Sequence, residues 1–128
     1  MPRETRGKGG VMTNKELEEV NVKIAKKLGW KNFRKERTPE PMNTRRTTGI
    51  APGNIRHQFV PFYTNNLSYA MKLVDWAAEH NYNFNLVKYG RYVGESNYLA
   101  TFDYDGRAVK EFATLPSMAI CMAFLKIK

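Results

Sequence analysis

The two-residue segment Asp105-Gly106 constrains this chain more than any other. Before it runs Tyr98-Leu-Ala-Thr-Phe-Asp-Tyr104, in which Tyr98, Ala100, Phe102 and Tyr104 alternate with their neighbours, and after it runs Arg107-Ala-Val-Lys-Glu-Phe112. Asp-Gly between two such runs predicts a β-hairpin, because both residues tolerate the positive φ angles of a tight turn that matches strand twist. Directly downstream, residues 114–128 (TLPSMAICMAFLKIK) read as a short apolar C-terminal helix. Upstream, Asn83-Phe-Asn-Leu-Val-Lys-Tyr89 reads as another strand, and Gly90 and Gly94 permit a turn into Arg91-Tyr-Val93. The last third is therefore a three- or four-stranded antiparallel meander followed by a helix.

Two more helices precede it. Thr13 followed three residues later by Glu16 is a capping box, in which hydroxyl and carboxylate satisfy backbone N–H groups reciprocally. Leu17, Val20, Ile24 and Leu28 then share one face, Gly29 supplies a left-handed stop, and Trp30 folds back onto the apolar stripe. A central helix opens after Tyr63-Thr-Asn-Asn66, capped by Thr64 or Asn65, with Leu67, Ala70, Met71, Val74 and Ala78 as its buried side and Asn81 at its C-terminal end. Between these helices, over residues 31–57, periodicity vanishes. Pro39, Pro41, Pro52, Gly49 and Gly53 punctuate the segment, and Arg37, Arg45, Arg46 and Arg56 stud it. An irregular basic loop at about 31–58 is expected, and an arginine-bearing loop on a rigid frame suits the gripping of an anion. The class is α+β, an antiparallel sheet packed between helices.

At 128 residues and 42% hydrophobic content the chain supports one domain with a modest core. Residues 12–128 form that domain, and the glycine-bearing, charged residues 1–11 read as a disordered leader. No apolar run approaches the ~18 residues that span a bilayer, and the charged N-terminus lacks the apolar core of a signal peptide, so a cytoplasmic protein is expected. The lone Cys121 forms no internal disulfide and reads as a core residue. The net charge of +9 is lopsided: residues 1–58 hold 14 of the 21 Lys and Arg and 6 of the 12 acidic residues, so the basic character belongs to the N-terminal half. Such a half invites a nucleic-acid reading, against which stands a solvated helix face and a flexible arm.

Catalytic constellations are missing from the sequence. His57 and His80 lie in a loop and at a helix end, no metal-ligand spacing of histidines or cysteines occurs, and Gly49-Ile-Ala-Pro-Gly53 is not followed by the Gly-Lys-Ser/Thr of a phosphate loop. Capping explains Ser117, and turn chemistry explains Asp105. No metal, cofactor or enzymatic activity is expected. What remains is a surplus of aromatic and arginine residues on or beside the strands: Tyr82, Phe84, Tyr89, Tyr92, Tyr98, Phe102 and Tyr104, with Arg56, Arg91 and Arg107 adjacent. Aromatic faces stack bases and guanidinium forks hold phosphates, which are the parts of a small-nucleotide site. Half of the aromatics on a one-sided sheet must point into the core, and Phe102 and Phe112 are assigned there.

The run from Phe62-Tyr-Thr-Asn-Asn66 through Ala77-Ala78 to Asp105-Gly-Arg-Ala108 and Met118-Ala-Ile-Cys-Met-Ala-Phe-Leu-Lys126 resembles phage ABA-sandwich domains, over about residues 12–128. Within that group the basic loop and the placement of Arg56 and Arg107 look most similar to the type-one phage Thoeris anti-defence sponges. The resemblance implies a phage protein that sequesters, without cleaving, cyclic ADP-ribose isomers made by TIR-domain enzymes, and possible cyclic di- or trinucleotides as further ligands. It implies Arg56 and Arg107 on the pyrophosphate, an aromatic near Phe84 on adenine, and a dimer or hexamer with clefts between subunits. The alternative is a basic phage accessory protein that binds nucleic acid, although no helix-turn-helix, zinc-finger or RNP-like signature is present. A third reading gives the arginine loop an acidic protein partner. On the sponge reading, Arg107→Ala abolishes messenger binding in titration calorimetry and leaves the fold intact; unchanged affinity removes Arg107 from the site.

Overall fold

The computed structural model describes residues 13–38, 45–89 and 98–127. Its order is α1 (Asn14–Lys27), β1 (Lys31–Arg37), β2 (Arg45–Ile50), β3 (Gln58–Phe59), α2 (Leu67–Glu79), β4 (Asn83–Lys88), β5 (Tyr98–Tyr104), β6 (Arg107–Ala113) and α3 (Pro116–Leu125). These form an α+β protein with two antiparallel three-stranded sheets, β1-β2-β3 and β4-β5-β6. The expected leader over 1–11 and the expected strand over 91–93 lie outside the described residues.

The hairpin forms where the sequence places it. Tyr104 pairs with Arg107, and Asp105 and Gly106 take φ values of +52° and +78°, the double left-handed turn that an L-residue other than Asn, Asp or Gly resists. Along β5 the inward residues Ala100 and Phe102 are fully buried, and α3 packs on that face of the sheet. Helix α3 carries apolar residues on all sides because it is enclosed on several: it touches α1, α2, β5 and β6. Ile120, Cys121 and Phe124 have no exposed surface, and burial pushes the Cys121 thiol up to about 12, so it stays protonated and unreactive.

Helix α1 bears the expected box, with the Glu16 N–H donating to Thr13 Oγ1 and the Thr13 N–H to Glu16 Oε1. Five details depart from the sequence reading. The segment 31–58 is not one irregular loop: β1 and β2 pair from Lys31 to Ile50, Pro52 and Gly53 fall in the turn beyond them, and Pro39 and Pro41 lie outside the described residues. Gly49 lies in the middle of this sheet because a Cβ there would come 2.9 Å from the Phe33 ring. Helix α2 is capped by Asn66, whose Oδ1 accepts from the Tyr69 N–H, rather than by Thr64 or Asn65. Its buried stripe is Ala70, Leu73 and Ala77, while Leu67, Met71 and Ala78 are exposed, a rotation that follows from α3 covering one side only. Phe112, assigned to the core, is 52% exposed because it alternates with Val109, Glu111 and Ala113 and so occupies the face turned away from α3.

Ser117 does not cap α3; its hydroxyl donates to Thr64 O at 2.8 Å, while Asn21 Oδ1 accepts from the Thr64 N–H at 3.1 Å. The backbone N–H and carbonyl of buried Thr64 are thus satisfied by side chains of two different helices. Asn21→Ala leaves the N–H without a partner, and a loss of about 1–3 kcal/mol is expected, read as a lower urea midpoint at unchanged slope. An unchanged midpoint would contradict the role given to Asn21.

Candidate functional site

Strand alternation sends the residues of β2 to opposite faces: Thr47 lies toward α1, and Arg46 and Thr48 lie on the other face. Beyond β3 the chain continues through Val60, whose N–H donates to Thr47 O at 3.1 Å, and Pro61 to Phe62 and Tyr63 before α2 begins. That path lays two rings against Arg46. Its Cζ stands 3.8 Å from the Phe62 centroid and 5.2 Å from that of Phe59. One terminal guanidinium nitrogen donates to Val60 O, and Nε is buried with no hydrogen-bond partner. No carboxylate forms an ion pair with Arg46 among the described residues.

The first two turns of α2 complete the surroundings. Tyr69 and Lys72 join Trp30, Arg46, Phe59 and Phe62 around a cleft of about 540 Å³, a volume that falls within the range of small-molecule sites. Lys72 Nζ lies 5.7 Å over the Tyr69 ring, and Tyr69 meets Tyr63 edge-on at 6.3 Å. Burial raises the Tyr63 phenol to about 12, so it remains a neutral hydroxyl. The lining contains two cations and several aromatic faces, with no carboxylate, imidazole or thiol. Such a set attracts an anion and stacks a planar ring; it offers no acid–base pair that works near neutral pH. Among the described residues no group of His, Cys, Asp and Glu is arranged to hold a metal ion.

The residues singled out from the sequence are spread over both sheets. Arg56 is exposed in the bend before β3, where residues 54–58 enclose a shallow depression of about 390 Å³. Beside it, His57 Nε2 lies 2.7 Å from Asn32 O. Arg107 is exposed at the start of β6 opposite Tyr104, whose ring lies 5.3 Å from Tyr82. Tyr82, Tyr104 and Arg107 therefore gather at the hairpin end of sheet β4-β5-β6. Phe84 is half-buried on the face toward α3 with its ring 5.1 Å from Phe102, so it serves the core. Tyr89 lies past the other end of β4, 6.0 Å from Phe112. Arg91 falls outside the described residues. Arg56 lies in the bend before β3 and Arg107 in β6 of the other sheet, so the structure does not bring them together in one element.

The sequence reading counted Arg46 only as one arginine of a basic loop and passed over Phe59, Phe62, Tyr69 and Lys72. The available signal was the aromatic run Phe59-Val-Pro-Phe62-Tyr63, which was absorbed into the approach to a helix.

No protein-family model and no curated protein matches this chain. Among solved structures it is similar to a phage protein from Bacillus cereus ATCC 14579, at a TM-score of 0.60 and 20% identity, covering 94% of this chain and 97% of that one. The two share a fold over nearly their full lengths.

Arg46 loses a hydrogen bond and a ring contact on conversion to Met, but the change also removes a buried donor that has no partner. Arg46→Met is therefore expected to alter stability by less than about 1 kcal/mol in urea titration. A loss above about 2 kcal/mol would make Arg46 a structural residue.

Proposed function

We propose that the Arg46 cleft binds a small phosphorylated nucleotide and holds it without chemistry. The observation that carries this reading is a guanidinium stacked on Phe62 that, among the described residues, has no carboxylate partner and keeps a buried, unpartnered Nε–H. A phosphate oxygen would satisfy that donor, and charge-assisted bonds of this kind are among the stronger ones in proteins. Lys72 supplies a second cation from α2, and the exposed rings of Phe62 and Tyr69 offer faces for a purine.

The similarity in fold to a phage protein and the resemblance to ABA-sandwich sponges extend the proposal. The protein is a phage-encoded sponge for cyclic ADP-ribose isomers, and for cyclic di- or trinucleotides where they fit, acting in the bacterial cytoplasm. Nanomolar retention needs about 12 kcal/mol. A cleft on one small chain leaves much of such a ligand open to water, so self-association as a dimer or hexamer, with walls from two chains, belongs to the proposal. A second location for the same ligand is favoured by the grouping of Tyr82, Tyr104 and Arg107 at the hairpin end; Arg56, Phe84 and Tyr89 stand apart from that grouping.

Titration calorimetry with a panel of cyclic ADP-ribose isomers and cyclic oligonucleotides, followed by recovery of the ligand after heat denaturation, tests the proposal. Tight binding with intact release is expected, with Arg46→Ala weakening it at least thirtyfold; Arg107→Ala, expected from the sequence resemblance alone to abolish binding, changes the affinity of the Arg46 cleft by less than threefold. The reverse ranking moves the site to the hairpin end of the second sheet. No binding across the panel overturns the sponge reading, and a chemically altered ligand would make the protein an enzyme.

A further inference from the structure

The face of β1-β2 opposite Arg46 carries a different chemistry. There Lys15, Lys23 and Lys26 of α1 stand across a cleft of about 490 Å³ from Lys35 of β1. Two residues further along the strands, Arg37 and Arg45 are direct partners in the β1–β2 pairing, and alternation places them on the same side as Lys35 and Thr47. All six cationic residues are exposed. The carboxylates in this cleft are those of Glu18 and Glu19, and Glu18 Oε2 already accepts from the Thr47 N–H at 2.5 Å.

Among the described residues no aromatic ring lines this cleft, and the neighbouring Phe33 ring is covered by Lys26, whose Nζ stands 5.7 Å from its centroid. Proteins that hold single strands supply stacking platforms, whereas a cationic groove without rings contacts phosphates alone. Lys15 and Lys26 lie eleven residues apart on one helix, about 16 Å at 1.5 Å per residue, which matches roughly five base steps at about 3.4 Å each. We propose that the surface formed by α1 and the β1-β2 strands binds the phosphate backbone of a nucleic-acid duplex without reading its bases. It is a site separate from the Arg46 cleft, and either can exist without the other.

Fluorescence anisotropy with labelled DNA and RNA duplexes of one arbitrary sequence, over a salt series, tests this. The wild-type chain is expected to bind at low salt and to weaken steeply as salt rises, because each neutralised phosphate adds about −0.9 to the log–log slope. Lys35→Glu with Arg45→Glu is expected to weaken binding at least tenfold and flatten the slope by about 2. Lys15→Gln with Lys23→Gln on the exposed helix face should weaken it at least threefold with unchanged circular dichroism, and this pair keeps the test valid if the strand variant unfolds. Arg46→Ala should leave duplex binding within twofold. Binding of DNA, RNA or both duplexes supports the proposal; absence of binding at low salt, preference for the single strand, or an affinity that ignores both sets of substitutions overturns it.

Discussion

The backbone of Thr64 is the constraint on which the Arg46 cleft depends. It is buried where α1, α3 and the entrance to α2 converge, and a buried peptide must satisfy both its N–H and its carbonyl. Asn21 does the first from α1 and Ser117 the second from α3. The backbone on either side is thereby set in place: Val60 to Phe62 on one side, which approach Arg46, and Tyr69 with Lys72 on the other. The cleft is thus assembled with the help of two polar side chains that do not line it.

Charge and shape divide between the two sheets. Sheet β4-β5-β6 lies in the nearly neutral half of the chain and gives one face to α3, an apolar helix packed on several sides. Sheet β1-β2-β3 is small and cationic, and it meets the helices through α1. Its strands are stabilised less by apolar burial than by β-branched Thr47 and Thr48, by the close fit of Gly49 under Phe33, and by bonds such as Thr48 Oγ1 to Glu36 Oε2 at 3.1 Å. A sheet built in this way leaves cations on both faces. One face gives the aromatic-lined Arg46 cleft, and the other gives the ring-free groove against α1.

Legibility in the sequence followed the strength of periodic burial. The hairpin, the apolar α3 and the capped α1 each announce themselves because a turn pair, an unbroken apolar run and a capping box are local signals. Strands β1 and β2 carry no such signal: Lys31 to Arg37 alternates charge with charge, so its pairing emerges only through Phe33 packing and the partner strand. Phe112 was misplaced because its burial depends on which face of β6 receives α3, a tertiary fact. For the site, the residue types were legible, arginine with aromatics. Their grouping was not, since Arg46 and Phe62 are sixteen positions apart and meet only through the turn into β3 and the Thr64 anchor.

The most direct measurement of the central claim is an amide and arginine side-chain NMR titration of the labelled protein with a cyclic ADP-ribose isomer. A nucleotide seated in the cleft displaces the Arg46 Nε–H resonance as that donor gains a phosphate partner, together with the amides of Phe62, Tyr69 and Lys72. Shifts confined to Tyr82, Tyr104 and Arg107, or an Arg46 signal that stays fixed while ligand saturates the protein, would contradict it.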